Sequence, residues 1–208
     1  MNVEQVSISI TKEQLSQLPV VSYPGKIQVI NTDSEAVDAF KQILMSKTVG
    51  IDTETRPSFK KGHINSVALI QIATEHCCYL FRISKFGLTQ CLVDFLQNTR
   101  ITKIGLSLRD DFHVLHRLAP FEPQAFIDLQ AFVKNYSITD ASLQKIFAII
   151  FGQRISKHQR LSNWEADTLT PQQQQYASID AWACLQIYNH LKTGKFNPGQ
   201  SPYISTTC

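Results

Sequence analysis

Residues 50–55 read Gly-Ile-Asp-Thr-Glu-Thr (GIDTET), and Thr48 and Val49 before them extend the run as TVGIDTE. Alternation and β-branched residues make this a strand. Successive strand side chains point to opposite faces, so Asp52 and Glu54 share one face. Arg56-Pro57 ends the run, because proline cannot donate to a sheet ladder. Two carboxylates near the end of a central strand repel each other unless they are solvated or share a counter-charge.

Working outward, KIQVI (26–30) reads as a short strand. SEAVDAFKQILM places Val37, Phe40, Ile43 and Leu44 at helical spacing, as the apolar face of a helix. NSVALIQIAT and HCCYLFRI are β-rich apolar runs separated by a polar turn, the pattern of a hairpin. LTQCLVDFLQN reads as a helix and ITKIGL as a further strand. From Arg109 onward the pattern is nearly all helical. Three strands in succession, then helix, strand and helices, predict an α/β fold with a mixed central sheet flanked by α-helices. Residues 1–25 read as an N-terminal arm with one short helix ended by Pro19. Residues 26–193 form the domain, and 194–208, rich in Pro, Gly, Ser and Thr, read as a loose tail.

The totals exclude some classes. No apolar run is long enough for a membrane span. An odd number of cysteines, five, fits a reducing compartment, and a cytoplasmic location is expected. A net charge of +3 does not by itself point to nucleic acid.

Two further segments carry acids. In KIGLSLRDDFHVLHRL a helix begins near Ser107, and Asp110 and Asp111 fall in its first turn, where acids suit the helix dipole. In LTPQQQQYASIDAWACLQIYNHLK, Thr170 is an N-cap, Pro171 the first helical residue, and Gln173 completes a capping box. That helix runs to about Lys192, with Gly194 as its stop. Tyr176 and Asp180, four apart, share a face with the apolar Ala183 and Ile187. An aspartate in an apolar stripe is costly unless paired or bound to metal. Converging carboxylates call for a hard divalent cation with oxygen ligands, and two such ions together stabilise both oxygens of a phosphodiester displacement.

GIDTET, KIGLSLRDDFHVL and YASIDAWACLQIY together resemble, in order, the three motifs of the DEDD 3'–5' exonucleases. Tyr176, four before Asp180, resembles the tyrosine branch, and DTETRPSFKKG (52–62) and LSNWEADTLTPQQQQYASIDAWA (161–183) look closest to Werner-type and ribonuclease D-like members. The resemblance covers roughly residues 15–191. It implies a ribonuclease H-like fold and two Mg²⁺ or Mn²⁺ ions. By motif, Asp52, Glu54 and Asp180 would hold one ion, with Asp52 bridging to a second that Asp111 supports. Tyr176 would orient the attacking water. The family's spacing from Gly105 selects Asp111 over Asp110.

The implied activity is release of nucleoside monophosphates from a nucleic-acid 3' end, with DNA placed ahead of RNA. The alternatives are ribonuclease D-like RNA processing and, in another class, a catalytically silent nucleic-acid-binding protein.

Arg56, Lys157 and Arg160 are candidate phosphate contacts, as are Lys60, Lys61 and His158, although Arg56 equally suits a surface ion pair. Trp164 is expected in the core, Gln71 as a hydrogen-bonded sheet residue and Asp128 as a helix cap. A metal role for His113 or His116 is not expected.

Overall fold

Each apolar run read above needs a partner surface, and the computed structural model, which describes residues 5–56 and 65–207, shows what each one meets. In chain order the strands and helices begin β1 (Gln5–Ile8), α1 (Lys12–Ser16), β2 (Lys26–Ile30), α2 (Asp33–Ile43), β3 (Thr48–Thr55), β4 (Val67–Ala73) and β5 (Cys77–Phe81). They continue α3 (Ile83–Phe86), α4 (Gln90–Leu96), β6 (Thr102–Gly105), α5 (Leu108–Leu115), β7 (Phe126–Asp128), α6 (Leu129–Phe132), α7 (Leu143–Phe151), α8 (Pro171–Lys192) and β8 (Ile204–Thr207).

A six-stranded sheet has the order β2-β5-β4-β3-β6-β7. β4 runs against its neighbours β5 and β3, whereas β2/β5, β3/β6 and β6/β7 are parallel pairs. The fold is the expected α/β layering around a mixed sheet. β4 is buried along its whole length, which is why VALIQIA reads as a continuous apolar run rather than an alternating one. Ile70, Ile72, Tyr79 and Phe81 face α2 and α4, where Phe40 stacks on Phe81 with centroids 5.3 Å apart. Leu69, Ala73, Leu80 and Ile104 belong to the second core, built on α8.

The capping box that starts α8 forms as read. The Gln173 amide N–H donates to Thr170 Oγ1 at 3.2 Å, and the Thr170 N–H donates to Gln173 Oε1 at 3.0 Å. Gly194 follows the helix with φ +69°, a left-handed stop. The buried Arg82 holds the approach to α8, donating to the carbonyls of Ala166 and Asp167. On β6, the buried Lys103 donates Nζ–H bonds to the carbonyls of Phe95, Asn98 and Ile101, closing the end of α4. Burial lowers its pKa to about 8.

Four readings change. On α2, Phe40 and Ile43 are buried, but Val37 and Leu44 are 46% and 52% exposed. Ala36 and Ala39 take their place, because small side chains let the helix lie close to the sheet. The stretch after Arg109 is not continuously helical: β7 joins the sheet edge, and residues 153–170 are largely irregular. β7 has three residues, too few to show periodicity, and only its partner β6 makes it a strand.

The tail is not loose throughout, since β8 pairs antiparallel with β1. Neither segment has its own hydrogen-bond partners, and pairing supplies them. The arm is also anchored. Ile8 and Ile10 are fully buried, and the Ile8 N–H donates to the Ser137 carbonyl at 2.8 Å.

Gly50 sets the distance between the sheet and α8. A Cβ there would overlap the carbonyl oxygen of Ala181 and stand 3.2 Å from Leu185 Cβ. Gly50→Ala is expected to destabilise the fold by about 3 kcal/mol, the upper range for forced overpacking. Thermal denaturation should show Tm lower by about 6–12 °C for a chain of this size. An unchanged Tm would show that α8 can back away freely.

Candidate functional site

The close approach of α8 to β3 brings together acids that are distant in sequence. Asp52 and Glu54 project from β3 toward α8, whose Asp180 is 8% exposed. Carboxylate oxygens of Asp52, Glu54 and Asp180 all lie within 4.8 Å of one another. Asp111 comes from the first turn of α5 and meets β3 through Thr53, whose Oγ1–H donates to Asp111 Oδ1 at 2.5 Å. It stands beside the tight trio rather than in it. Asp110 is exposed. Tyr176 lies one turn before Asp180 and stacks on the buried Trp164, with centroids 6.0 Å apart.

The electrostatics follow from this crowding. Burial raises the pKa of Asp52 well above the carboxylate range, and the charges of Asp180, Asp111 and Glu54 raise it further. Glu54 rises to about 9, first from burial, then from Asp180 and Asp111, with Arg160 opposing. Asp180 rises to about 7 through burial, opposed by its hydrogen bond with Tyr176 and by Lys157. Burial also lifts Asp111 to about 7, against the Thr53 hydrogen bond and with help from Asp110 and Asp128. Tyr176 is pushed up by burial and by the neighbouring carboxylates, so its hydroxyl keeps its proton. An all-oxygen donor set, tightly grouped and short of positive charge among the described residues, fits a hard divalent cation.

Lys157 and Arg160, both exposed, line a cleft of about 380 Å³ with Asp52, Tyr176 and Asp180. Arg56 is differently engaged. Its guanidinium donates to Glu165 at 3.2 Å, the ion pair that was the alternative to a phosphate contact. His158 borders an adjacent groove that shares Tyr176. Lys60 and Lys61 lie outside the described residues. His116 Nε2 is 2.9 Å from the Phe121 carbonyl, and neither it nor His113 joins the acids.

Gln71 departs from expectation. It sits opposite Asp52 on β4, fully buried, and its carboxamide has no hydrogen-bond partner among the described residues. Its strand neighbours at that level are Leu80, which is apolar, and Asp52, whose carboxylate could accept from the carboxamide but does not.

Three contributors were not singled out from sequence: Thr53, Arg82 and the fixed spacing at Gly50. Thr53 gave no local signal, since alternation puts it on the face opposite Asp52 and Glu54 and its partner Asp111 lies 58 residues along the chain. Arg82 gives no local signal, because its partners are main-chain carbonyls 84 and 85 residues away.

The architecture is that of the ribonuclease H-like α/β folds. It is shared with the exonuclease domain of Nibbler from Aedes aegypti, at TM-score 0.75 and 18% identity over 87% of this chain and 97% of that one. Ribonuclease D from Escherichia coli gives TM-score 0.73 and 22% identity over 81% and 44%. In sequence, the chain is 33% identical to the bifunctional 3'-5' exonuclease/ATP-dependent helicase WRN of Mus musculus, over 84% of this chain and 13% of that protein. It is 30% identical to a 3'-5' exonuclease of Arabidopsis thaliana, over 69% and 52%. The chain thus spans from about an eighth to about half of the length of these two curated relatives. The 3'-5' exonuclease family model matches residues 27–194, and the chain belongs to that family.

The raised pKa values set a pH dependence. With no cation bound, the folded chain holds protons that the unfolded chain has released, between about pH 4 and the raised values. Those values are about 7 for Asp111 and Asp180 and about 9 for Glu54. The unfolded state binds fewer protons in this window, so stability falls as pH rises through it. Metal-stripped protein is expected to melt higher at about pH 5.5 than at about pH 8.5, and Mg²⁺ or Mn²⁺ should recover the loss at the higher pH. Scanning calorimetry of the stripped protein and of Asp180→Asn, which should flatten the slope, checks this. A Tm that rises with pH across the window would contradict it.

Proposed function

We propose that the chain is a metal-dependent exonuclease that hydrolyses the terminal phosphodiester at a nucleic-acid 3' end and releases nucleoside monophosphates. The observation that carries this reading is the convergence of Asp52, Glu54 and Asp180 within 4.8 Å, with Tyr176 one turn away. Asp52, Glu54 and Asp180 would hold one Mg²⁺ or Mn²⁺, and Asp52 with Asp111 would hold a second. Such ions would supply an activated water near neutral pH and charge stabilisation of the attacking and leaving oxygens.

The chain's own residues do the rest. Tyr176, held against Asp180 and propped on Trp164, orients the nucleophilic water. Its raised pKa keeps the hydroxyl a donor through the neutral range. Lys157 and Arg160 at the cleft rim offset phosphate charge and draw the strand toward the acids. Arg56, turned to Glu165, is assigned no phosphate.

The reading is tested with a 5'-labelled oligonucleotide, as matched DNA and RNA, single-stranded and recessed, with Mg²⁺ or Mn²⁺. The expected product is a ladder shortened from the 3' end and abolished by chelator, by Asp52→Ala and by Asp180→Ala. Tyr176→Phe is expected to lower kcat by about 10²-fold, the scale of a lost positioned proton-handling group. RNA degraded in preference to DNA selects the ribonuclease D-like alternative. Binding without cleavage under every metal selects a silent binding protein.

Lys157→Ala and Arg160→Ala should each raise KM on all sequences alike. Each should also reduce the salt slope of binding by about 1. Fluorescence-anisotropy titrations across a salt series give that slope, and an unchanged slope removes the residue from the phosphate path.

A further inference from the structure

We infer that Asp128 is a positioning residue of the active site, acting through the first turn of α5 on Asp111. This inference rests on the metal-dependent reading above.

Ser107, which precedes α5, has φ +59° and ψ +37°, a left-handed conformation that a residue with a side chain adopts only when its surroundings hold it there. Its own side chain makes no capping hydrogen bond. The first N–H groups of a helix have no partner within the helix and must find one elsewhere. Here the partner comes from another strand. Asp128 at the end of β7 lies opposite Gly105 at the end of β6. Its carboxylate accepts from the Ser107 N–H at 3.3 Å and from the Leu108 N–H at 3.0 Å. The same group accepts from the Gln130 N–H at 2.8 Å, capping α6. One carboxylate therefore fixes both the left-handed turn and the start of α5.

Asp111 lies within that first turn, so it has no intervening lever to absorb a shift. Its carboxylate is held at the other end by Thr53 Oγ1, on β3 between Asp52 and Glu54. Asp111 is thus located by two contacts, Asp128 on its backbone and Thr53 on its side chain. Loss of the first frees the helix start from the β6–β7 edge and moves Asp111 relative to β3. The sequence reading of Asp128 as a cap is correct for α6 but omits the second helix, whose start lies about twenty residues earlier in the chain.

The test compares Asp128→Asn, Asp111→Ala, their combination, and Asp128→Asn with Ser107→Gly. Mn²⁺ binding is measured by electron paramagnetic resonance without substrate, and kcat, the Mn²⁺ dependence of activity and Tm are measured beside it. Asp128→Asn retains one acceptor oxygen but turns an amide N–H₂ toward an N–H. It should weaken one class of Mn²⁺ site by about tenfold, the scale of losing a group that orients a ligand, and raise the Mn²⁺ needed for half-maximal activity to match. In the Asp111→Ala background the same substitution should change neither. Ser107→Gly should restore part of the loss, because glycine holds the left-handed turn unaided.

A lower Tm with unchanged Mn²⁺ binding would make Asp128 a structural cap only and overturn the inference. Equal losses with and without Asp111 would overturn it as well. Wild-type protein that binds no Mn²⁺ would overturn the metal reading and this inference with it. Wild-type binding that Asp128→Asn leaves intact overturns the inference alone.

Discussion

The site exists because α8 lies directly on β3, and it can lie there because position 50 has no side chain. The Ala181 carbonyl occupies the space a Cβ would need. Ala177 and Ala181, one turn apart and both fully buried, keep that helix face small. Asp180 is one residue from the contact point and Asp52 is two residues along the strand from Gly50. A longer separation would put the Asp180 carboxylate out of reach of Asp52 and Glu54. The capping box at Thr170 and the hold of Arg82 on Ala166 and Asp167 set where α8 begins. These contacts fix which residue of the helix meets Gly50.

That packing has an electrostatic cost. Burial raises the proton affinity of the three carboxylates within 4.8 Å, and the charges of Asp180 and Asp111 raise Asp52 and Glu54 further. Among the described residues, nearby cations are few. Lys157 and Arg160 stand at the rim, and their fields oppose the shifts of Asp180 and Glu54 without cancelling them. The apolar cores on both faces of the sheet hold this arrangement together, with Phe40, Phe81 and Phe95 on one side and Trp164, Phe147 and α8 on the other. A fold that keeps buried acids uncompensated is arranged for a partner of opposite charge, and the oxygen-only donor set specifies a hard one.

Much of the fold was legible where the signal is local. KIQVI coincides with β2, the β4–β5 hairpin follows from two apolar runs and a polar turn, and both ends of α8 follow from caps a few residues long. The failures share a physical origin. Val37 and Leu44 have the spacing of a buried face, but Ala36 and Ala39 approach the sheet more closely, and only packing decides between two overlapping stripes. β7 and β8 are short and owe their strand character to partners far along the chain. Gln71 was expected to be hydrogen-bonded, yet its neighbours are apolar groups and Asp52.

The sequence by itself determined the chemistry. The types and order of Asp52, Glu54, Asp111, Tyr176 and Asp180, and the elements that carry them, follow from periodicity, capping and motif spacing. Only the tertiary structure decided the geometry: that Asp52, Glu54 and Asp180 form a tight trio, that Asp111 reaches β3 through Thr53, and that Arg56 pairs with Glu165. It also decided that Asp128 holds the start of a helix about twenty residues earlier. Periodicity and capping are short-range properties written in neighbouring residues. Contacts between separate strands and helices depend on how closely whole elements pack, which no local window of sequence records.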